Sequence, residues 1–317
     1  MTIDVIVPVY GNWAVTESCL RHLERQTAPH RVILVDDGSR DNTIEMVKSE
    51  FPSVDILEMK TNSGFSKACN KGIWHGDADV VVLLNNDVEA DATMLERLAE
   101  PFLVDATIGS TVPLLLQPDG LVDAFGISAD STLAGFTRYH GARIGDVSSE
   151  SPSILGPYGA AAAYRRKALD EVGALDEAIF MYGEELDLAL RLRSAGWRLA
   201  AVPGARGVHA GAASIGKNSP RQRYLAGFGR GYLLRVYGVL LSRYWLRALV
   251  TETTVGIVRI VVSRDLASLK GRVEGWKAGG SVDRRGRPNE GVDLSITFLM
   301  SLRMRSPLFW NKNYRKA

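Results

Sequence analysis

Five consecutive apolar residues, Val80-Val81-Val82-Leu83-Leu84, run straight into Asn85-Asn86-Asp87-Val88-Glu89. A strand with one wet face alternates polar and apolar residues. This run does not, so it needs cover on both faces, and its length is that of a strand rather than a helix. The first hundred residues supply the cover. Residues 4–9, 31–35 and 54–59 read as further strands. Helical spacing marks residues 13–26, residues 43–51 behind a cap at Asn42 or Thr43, residues 67–74 and residues 92–102. This βαβα order predicts a mostly parallel sheet with helices on both faces. Ligands bind at the carboxyl edge of such sheets, which is where Asp36, Asp37 and Asp87 stand. Asp87 is a hard oxygen donor for a divalent cation; its structural alternative is a helix cap. A second carboxylate at this edge can accept a pyrimidine N3–H or a ribose hydroxyl. Asp-Asp-Gly-Ser taken alone is also ordinary turn chemistry.

The pattern weakens over residues 109–153, which read as loops and short strands, with a hairpin over a pocket. Residues 155–164 are small and apolar, and Arg165-Arg166-Lys167 opens a helix toward Val172. Residues 184–195 form a helix closed by Gly196 in a left-handed position. It opens with Glu184-Glu185-Leu186-Asp187. The helix dipole favours carboxylates there, and Asp187 can pair with Arg191 one turn on. Three carboxylates in four residues, behind Phe180-Met181-Tyr182-Gly183, exceed what capping needs and point to a general base at Glu184 or Glu185. Residues 197–202 form a strand, and Val208-His209 follows. A lone histidine is by itself usually structural or exposed.

The length of 317 residues suits one large α/β domain or a catalytic domain with an appendage. Two cysteines without ligand spacing suit a reducing compartment. The chain enters a strand at once, without a basic, apolar, small-residue leader pattern, so export is not expected. The net charge of +2 hides a split. Residues 1–217 carry 19 Lys and Arg against 30 Asp and Glu, a balance of −11, and residues 218–317 carry 19 against 6, a balance of +13. An acidic body with a basic tail suggests an anionic partner for the tail. Residues 224–262 are rich in Leu, Val, Tyr, Trp and Phe, but Arg230, Arg235, Arg243, Arg247 and Arg259 interrupt them. No stretch offers the roughly 20 apolar residues of a membrane span. Helices lying in a membrane interface fit this pattern; so does a helical pair packed on the catalytic domain with its arginines in solvent. Residues 279–291 read as a polar loop, and residues 309–317 as poorly ordered. After the first strand stands Tyr10-Gly11-Asn12-Trp13. This is neither the basic, Gly-rich loop expected of a nucleotidyltransferase nor the G-x-G-x-x-G of a dinucleotide oxidoreductase.

Six segments, in order, resemble the family 2 glycosyltransferases of the GT-A fold. They are VIVPVYGN at 5–12, VDDGSRDNT at 35–43, NSGFSKACNKGI at 62–73, LLNNDVE at 83–89, the stretch from Gly159 to Trp197, and VPGARGVHAGAAS at 202–214. The resemblance covers residues 1–215 and is strongest to bacterial rhamnosyltransferases of polysaccharide assembly. It implies an α/β fold with a Rossmann-like mixed sheet and helices on both faces. A catalytic domain of residues 1–217 would be followed by a basic helical region, 218–317, that serves a membrane interface or a dimer.

Several roles follow from the resemblance. Pro8, Tyr10, Asp36, Asp37, Asn62, Gly64 and Lys67 would line the nucleotide-sugar pocket. Asn85-Asn86-Asp87 takes the place of the family's Asp-x-Asp, with Asn85 for the first Asp. Asp87 would hold Mg²⁺ or Mn²⁺, with His209 as the additional ligand. Glu184-Glu185 matches the pair holding the catalytic base, Glu185 being favoured. The implied reaction is inverting transfer of a sugar, L-rhamnose from dTDP-rhamnose or a hexose from a UDP donor, to a glycan or lipid-linked acceptor. The setting would be the inner face of the cell membrane, with no nucleic-acid partner. The competing readings are a non-catalytic nucleotide-sugar-binding subunit and a nucleotidyltransferase.

Overall fold

The structure is a computed structural model and describes residues 1–148, 154–211, 219–288 and 290–305. The N-terminal part runs β1 (Ile3–Val9), α1 (Trp13–Leu23), β2 (Arg31–Asp36), α2 (Thr43–Glu50), β3 (Asp55–Glu58), α3 (Phe65–His75), β4 (Val80–Leu84), β5 (Val88–Ala90) and α4 (Met94–Val104). It continues through β6 (Ile108–Leu116), β7 (Val122–Ala124), β8 (Ile127–Ala129), β9 (Gly135–Thr137), β10 (Ala161–Arg165), α5 (Arg166–Val172), α6 (Glu184–Ser194) and β11 (Arg198–His209). The helices α7 (Pro220–Val236), α8 (Trp245–Ser263), α9 (Ala267–Ala278) and α10 (Phe298–Met304) follow.

The main sheet has the order β3-β2-β1-β4-β10-β6-β11-β5, with β7 added beside β6. Strands β1 to β4 are mutually parallel, as are β6 and β11. β10 runs antiparallel between β4 and β6, and β5 antiparallel to β11, so the sheet is mixed. The sheet is covered on both sides, as the unbroken run at 80–84 requires. Val80, Val82 and Leu84 face a cluster with Leu20, Leu23 and Leu98. Val81 and Leu83 face the opposite cluster with Cys69, Ile73 and Leu188. Each such side chain contributes about 1.5–3 kcal/mol by leaving water.

Three departures from the sequence reading shape the site. Residues 108–116 are not loop but a nine-residue buried strand, β6. Its Ser110 and Thr111 hid the apolar signal, and burial is tolerable because the Thr111 hydroxyl donates to the Leu98 carbonyl at 2.9 Å. The acidic stretch after β4 does not lead straight into a helix. It turns back as β5 and pairs Val88 with His209. Finally, the expected strand at 197–202 runs on to His209 as β11, through an irregularity between Val202 and Arg206. Asn42 does sit at the start of α2, but its side chain makes no capping bond; Asp41 Oδ1 accepts from the Thr43 N–H at 3.2 Å instead.

The C-terminal helices share a core with α6. Tyr232, Leu233 and Val236 of α7 pack with Leu186 and Leu190. Arg230, Arg272 and Arg305 do not point into solvent; they converge on the buried carboxylate of Glu252 at 2.9, 3.2 and 2.6 Å. Among the described residues, no helix is long and apolar enough to cross a membrane. Residues 309–317 lie outside the described residues.

Candidate active site

A cleft of about 1080 Å³ opens where β1, β2 and β4 end and where α3, α6 and α7 begin. On its nucleotide side, Asp37 follows the end of β2 and receives two backbone N–H groups. Ser63 donates to Oδ1 at 2.6 Å and Gly64 to Oδ2 at 2.9 Å. Burial pushes the Asp37 carboxyl up, and these two bonds oppose it. Gly64 must be glycine. Its φ is +98°, and a Cβ there would lie 2.6 Å from the Phe180 ring. Pro8, Tyr10, Asn62, Asn85 and Asn86 also line the cleft. Two expected pocket residues do not. Asp36 is buried and accepts from the Ser39 N–H at 2.9 Å, bracing its own turn. Lys67 is exposed on α3 and lies off the cleft wall.

The candidate metal side is built by strand pairing. β5 against β11 brings His209 Nε2 to 3.3 Å from Asp87 Oδ1. Asp123, on β7, accepts from His209 Nδ1 at 2.7 Å. That bond fixes the ring and turns Nε2 toward Asp87, the arrangement that commonly orients a metal-binding histidine. Burial pushes the Asp123 carboxyl up, but the rings of His140 and His209 outweigh it and hold the group at about 2. Burial lowers His209, but Asp123 and Asp87 outweigh that and raise it to about 9. Asn85 Oδ1 is buried with no hydrogen-bond partner among the described residues, an arrangement that costs about 1–3 kcal/mol unless a ligand supplies one. A carboxylate, an imidazole and this amide oxygen are donors that a divalent cation accepts. No group of three His, Cys, Asp or Glu side chains among the described residues could hold the ion alone. Phosphate and water oxygens would have to complete its shell.

The opposite wall carries the carboxylate pair. Gly183, at φ +112°, ends the approach loop and starts α6. Glu184 is buried; burial and then the charge of Glu185 push its carboxyl well above the ordinary range. Its Oε2 has no hydrogen-bond partner among the described residues. Glu185 is partly exposed, and its Oε2 accepts from the Gly183 N–H at 3.1 Å. Burial raises it as well, opposed by backbone N–H groups of the first turn. Tyr158 stands between the two walls. Its ring meets that of His209 edge-on at 6.2 Å, and it feels the charges of Asp123, Glu185 and Asp87. Asp187, by contrast, is structural: it holds Arg191 at 2.7 Å and accepts from the Tyr237 hydroxyl at 2.9 Å.

Sequence reasoning missed Asp123, Tyr158 and Arg221. Arg221, in the first turn of α7 with its guanidinium over the Phe180 ring, is the one arginine or lysine among the described residues lining the cleft. The alternating Val122-Asp123-Ala124 was the only local signal for Asp123.

The family model for glycosyl transferase family 2 matches residues 4–173. This chain belongs to glycosyl transferase family 2. As a family 2 member it is 31% identical over 239 residues to an N-acetylglucosaminyl-diphospho-decaprenol L-rhamnosyltransferase of Mycobacterium tuberculosis, covering 65% of this chain and 77% of that one. The fold is that of GalNAc-T7, solved with UDP, GalNAc and Mn²⁺, with a TM-score of 0.63 and 16% identity over 87% of this chain and 54% of the other. It is also that of a mannosyltransferase from Pyrobaculum calidifontis, solved with GDP-Man and Mn²⁺, with a TM-score of 0.51 and 16% identity over 88% and 87% of the two chains. This chain thus spans about half the length of GalNAc-T7. The family match ends before α6 and β11, so Glu184, Glu185 and His209 lie outside the matched residues.

Proposed function

We propose that this family 2 member transfers a sugar from a nucleoside-diphosphate donor to a hydroxyl of a lipid-linked glycan, with inversion at the anomeric carbon. One observation carries the reading. The Asp87–His209–Asp123 chain and the Glu184–Glu185 pair line a single cleft. Asp37 and the loop it braces would take the base and ribose. Asp87 and His209, with Asn85, would hold Mg²⁺ or Mn²⁺. When bound, that ion neutralises charge on the diphosphate as a Lewis acid. Arg221, which lines the cleft, would add a positive charge there. Glu185 is the base: it is partly exposed to the cleft, whereas Glu184 is buried and pushed further up by burial and by the charge of Glu185. Glu185 takes the acceptor's proton as its oxygen bonds to the anomeric carbon and the bond to the nucleoside diphosphate breaks.

L-Rhamnose from a dTDP donor is the first candidate, because the Mycobacterium tuberculosis relative is an L-rhamnosyltransferase acting on a diphospho-decaprenol. UDP-hexoses are the alternative donors. Residues 1–217 would carry catalysis at the cytoplasmic face of the membrane, and residues 218–317 the attachment to it. A thermal-shift panel of nucleotide-sugars with and without Mn²⁺ tests the donor, since a ligand selective for the folded state raises apparent stability. Glu185→Gln should keep that shift and lose about 10²–10⁴-fold in transfer. Loss of activity in Glu184→Gln with an active Glu185→Gln would move the base. A panel in which no nucleotide shifts the transition would overturn the reading.

A further inference from the structure

Helix α8 is amphipathic the wrong way round for a helix facing water. Its outward positions repeat at helical spacing, and Leu246, Leu249, Ile257, Val258, Val261 and Val262 are 40% to 69% exposed. No outward-facing residue of α8 carries a charge; Thr253 and Thr254 are its polar members. The charges of the helix point inward. Arg247 donates to the Ile296 carbonyl at 2.7 Å, and Glu252 is enclosed by Arg230, Arg272 and Arg305. Water-facing helices show the opposite polarity, and a contiguous apolar face of this kind marks an interaction surface.

The surroundings select the partner. Arg243 and Arg264, both exposed, bracket the helix at its two ends. On α9, exposed Lys270 stands beside Leu269, itself 41% exposed. The carboxylates nearby are engaged: Asp265 with Arg223, and Glu274 with the Tyr224 hydroxyl and, at 3.9 Å, with Lys270, which leaves Arg243 and Arg264 as the main rim charges. The rim is therefore cationic around an apolar centre. A second copy of the same face would set like charges against each other, whereas an anionic lipid surface complements both parts. At about 1.5 Å per residue, the helix would lie along that surface for roughly 28 Å.

Glu252 ties α8 to Arg230 of α7 and Arg272 of α9, and those two helices pack closely on each other. Cβ atoms at Gly227 and Gly231 of α7 would lie 2.3 and 2.1 Å from the Ser268 and Arg272 carbonyl oxygens of α9. Cβ atoms at Gly271 and Gly275 would lie 2.0 Å from those of Tyr224 and Phe228. The first turn of α7 carries Arg221 and Gln222, both on the cleft wall. We propose that the outward face of α8, with its basic rim, lies in the headgroup–acyl boundary of an anionic phospholipid membrane and so presents the cleft to a lipid-borne acceptor.

The test uses the full chain with vesicles of phosphatidylcholine, with or without phosphatidylglycerol. The wild type should bind the phosphatidylglycerol vesicles about tenfold or more tighter, and less so at high salt. Val258→Asp with Val262→Asp should weaken that binding about tenfold or more while leaving nucleotide-induced thermal shifts and the monomeric mass by light scattering unchanged. A readout without inserted charge is quenching of tryptophan fluorescence by acyl-brominated lipid, which Trp245→Phe should reduce. Equal vesicle binding by wild type and the double variant would overturn the proposal. So would a wild-type dimer that the double variant splits. Neither result touches the donor-binding reading, which the thermal shift reports separately.

Discussion

Replacing Asp123 by Asn tests the candidate metal side most sharply, because Asp123 itself is one bond removed from the proposed ion. Its carboxylate accepts from His209 Nδ1 at 2.7 Å and is held at about 2, so at neutral pH the bond is charge-assisted. Such bonds contribute about 1.5–3 kcal/mol. With 1.4 kcal/mol to each factor of ten, that is roughly 10–100-fold in whatever His209 binds, the range in which loss of such supporting partners weakens metal sites. Asn can still accept from Nδ1 but brings no charge, so Asp123→Asn should fall near tenfold and Asp123→Ala nearer a hundredfold. The assay is a Mn²⁺ titration by calorimetry in the presence of a nucleoside diphosphate, beside the Mn²⁺ dependence of transfer. Half-saturation should rise while kcat at saturating Mn²⁺ stays close to wild type. In a double-mutant cycle with His209→Ala the effect of Asp123→Asn should vanish, since the relay acts through that ring. Half-saturation within twofold of wild type for both Asp123 variants would refute the positioning role. So would a fall in kcat that saturating Mn²⁺ does not restore.

Two predictions concern stability. Burial raises the Glu252 carboxyl, but Arg230, Arg305 and Arg272 outweigh it and hold the group far below its ordinary 4.5. A depressed native value stabilises the fold above pH 4.5, and that contribution is lost as pH falls below it toward the native value. Glu252→Gln should therefore destabilise by about 3 kcal/mol at neutral pH, by leaving the arginines uncompensated, and should flatten the acid limb of stability against pH in denaturant titrations; an unchanged limb would count against the cluster. Gly231→Ala places a methyl 2.1 Å from the Arg272 carbonyl oxygen and should cost about 1–3 kcal/mol as α7 and α9 part, whereas Gly256→Ala, with nothing within 4 Å, should be neutral or stabilising. Equal denaturation midpoints for the two variants would show that the seam is looser than described.

The legible residues share one property: a local pattern that can be satisfied in only one way. Val80–Leu84 had to be covered on both faces, and it lies fully buried inside the sheet. Asp87, Glu184 and Glu185 were singled out from their own segments and His209 through the family resemblance, and all four line the cleft. Asp36 and Lys67 were grouped with the pocket, but Asp36 accepts from its own turn and Lys67 is exposed and does not line the cleft. β6 escaped notice because Ser110 and Thr111 dilute its apolar run, and α4, whose Leu98 carbonyl accepts the Thr111 hydroxyl, makes the burial of Thr111 tolerable. The inward arginines of the C-terminal helices escaped it too, since Glu252 meets its partners from three other parts of the chain.

Local order alone determined which strand is central, which edge of the sheet carries the cleft and which carboxylates stand on that edge, because strand period, helix spacing and turn chemistry act over a few residues. Tertiary structure decided which of those groups meet. Asp87, Asp123 and His209 come together only through the pairing of β5 and β7 into the sheet. The outward polarity of α8 likewise depends on distant arginines that draw its charge inside. Contacts between residues a hundred positions apart are set by packing of the whole chain, and no short stretch of sequence contains both partners.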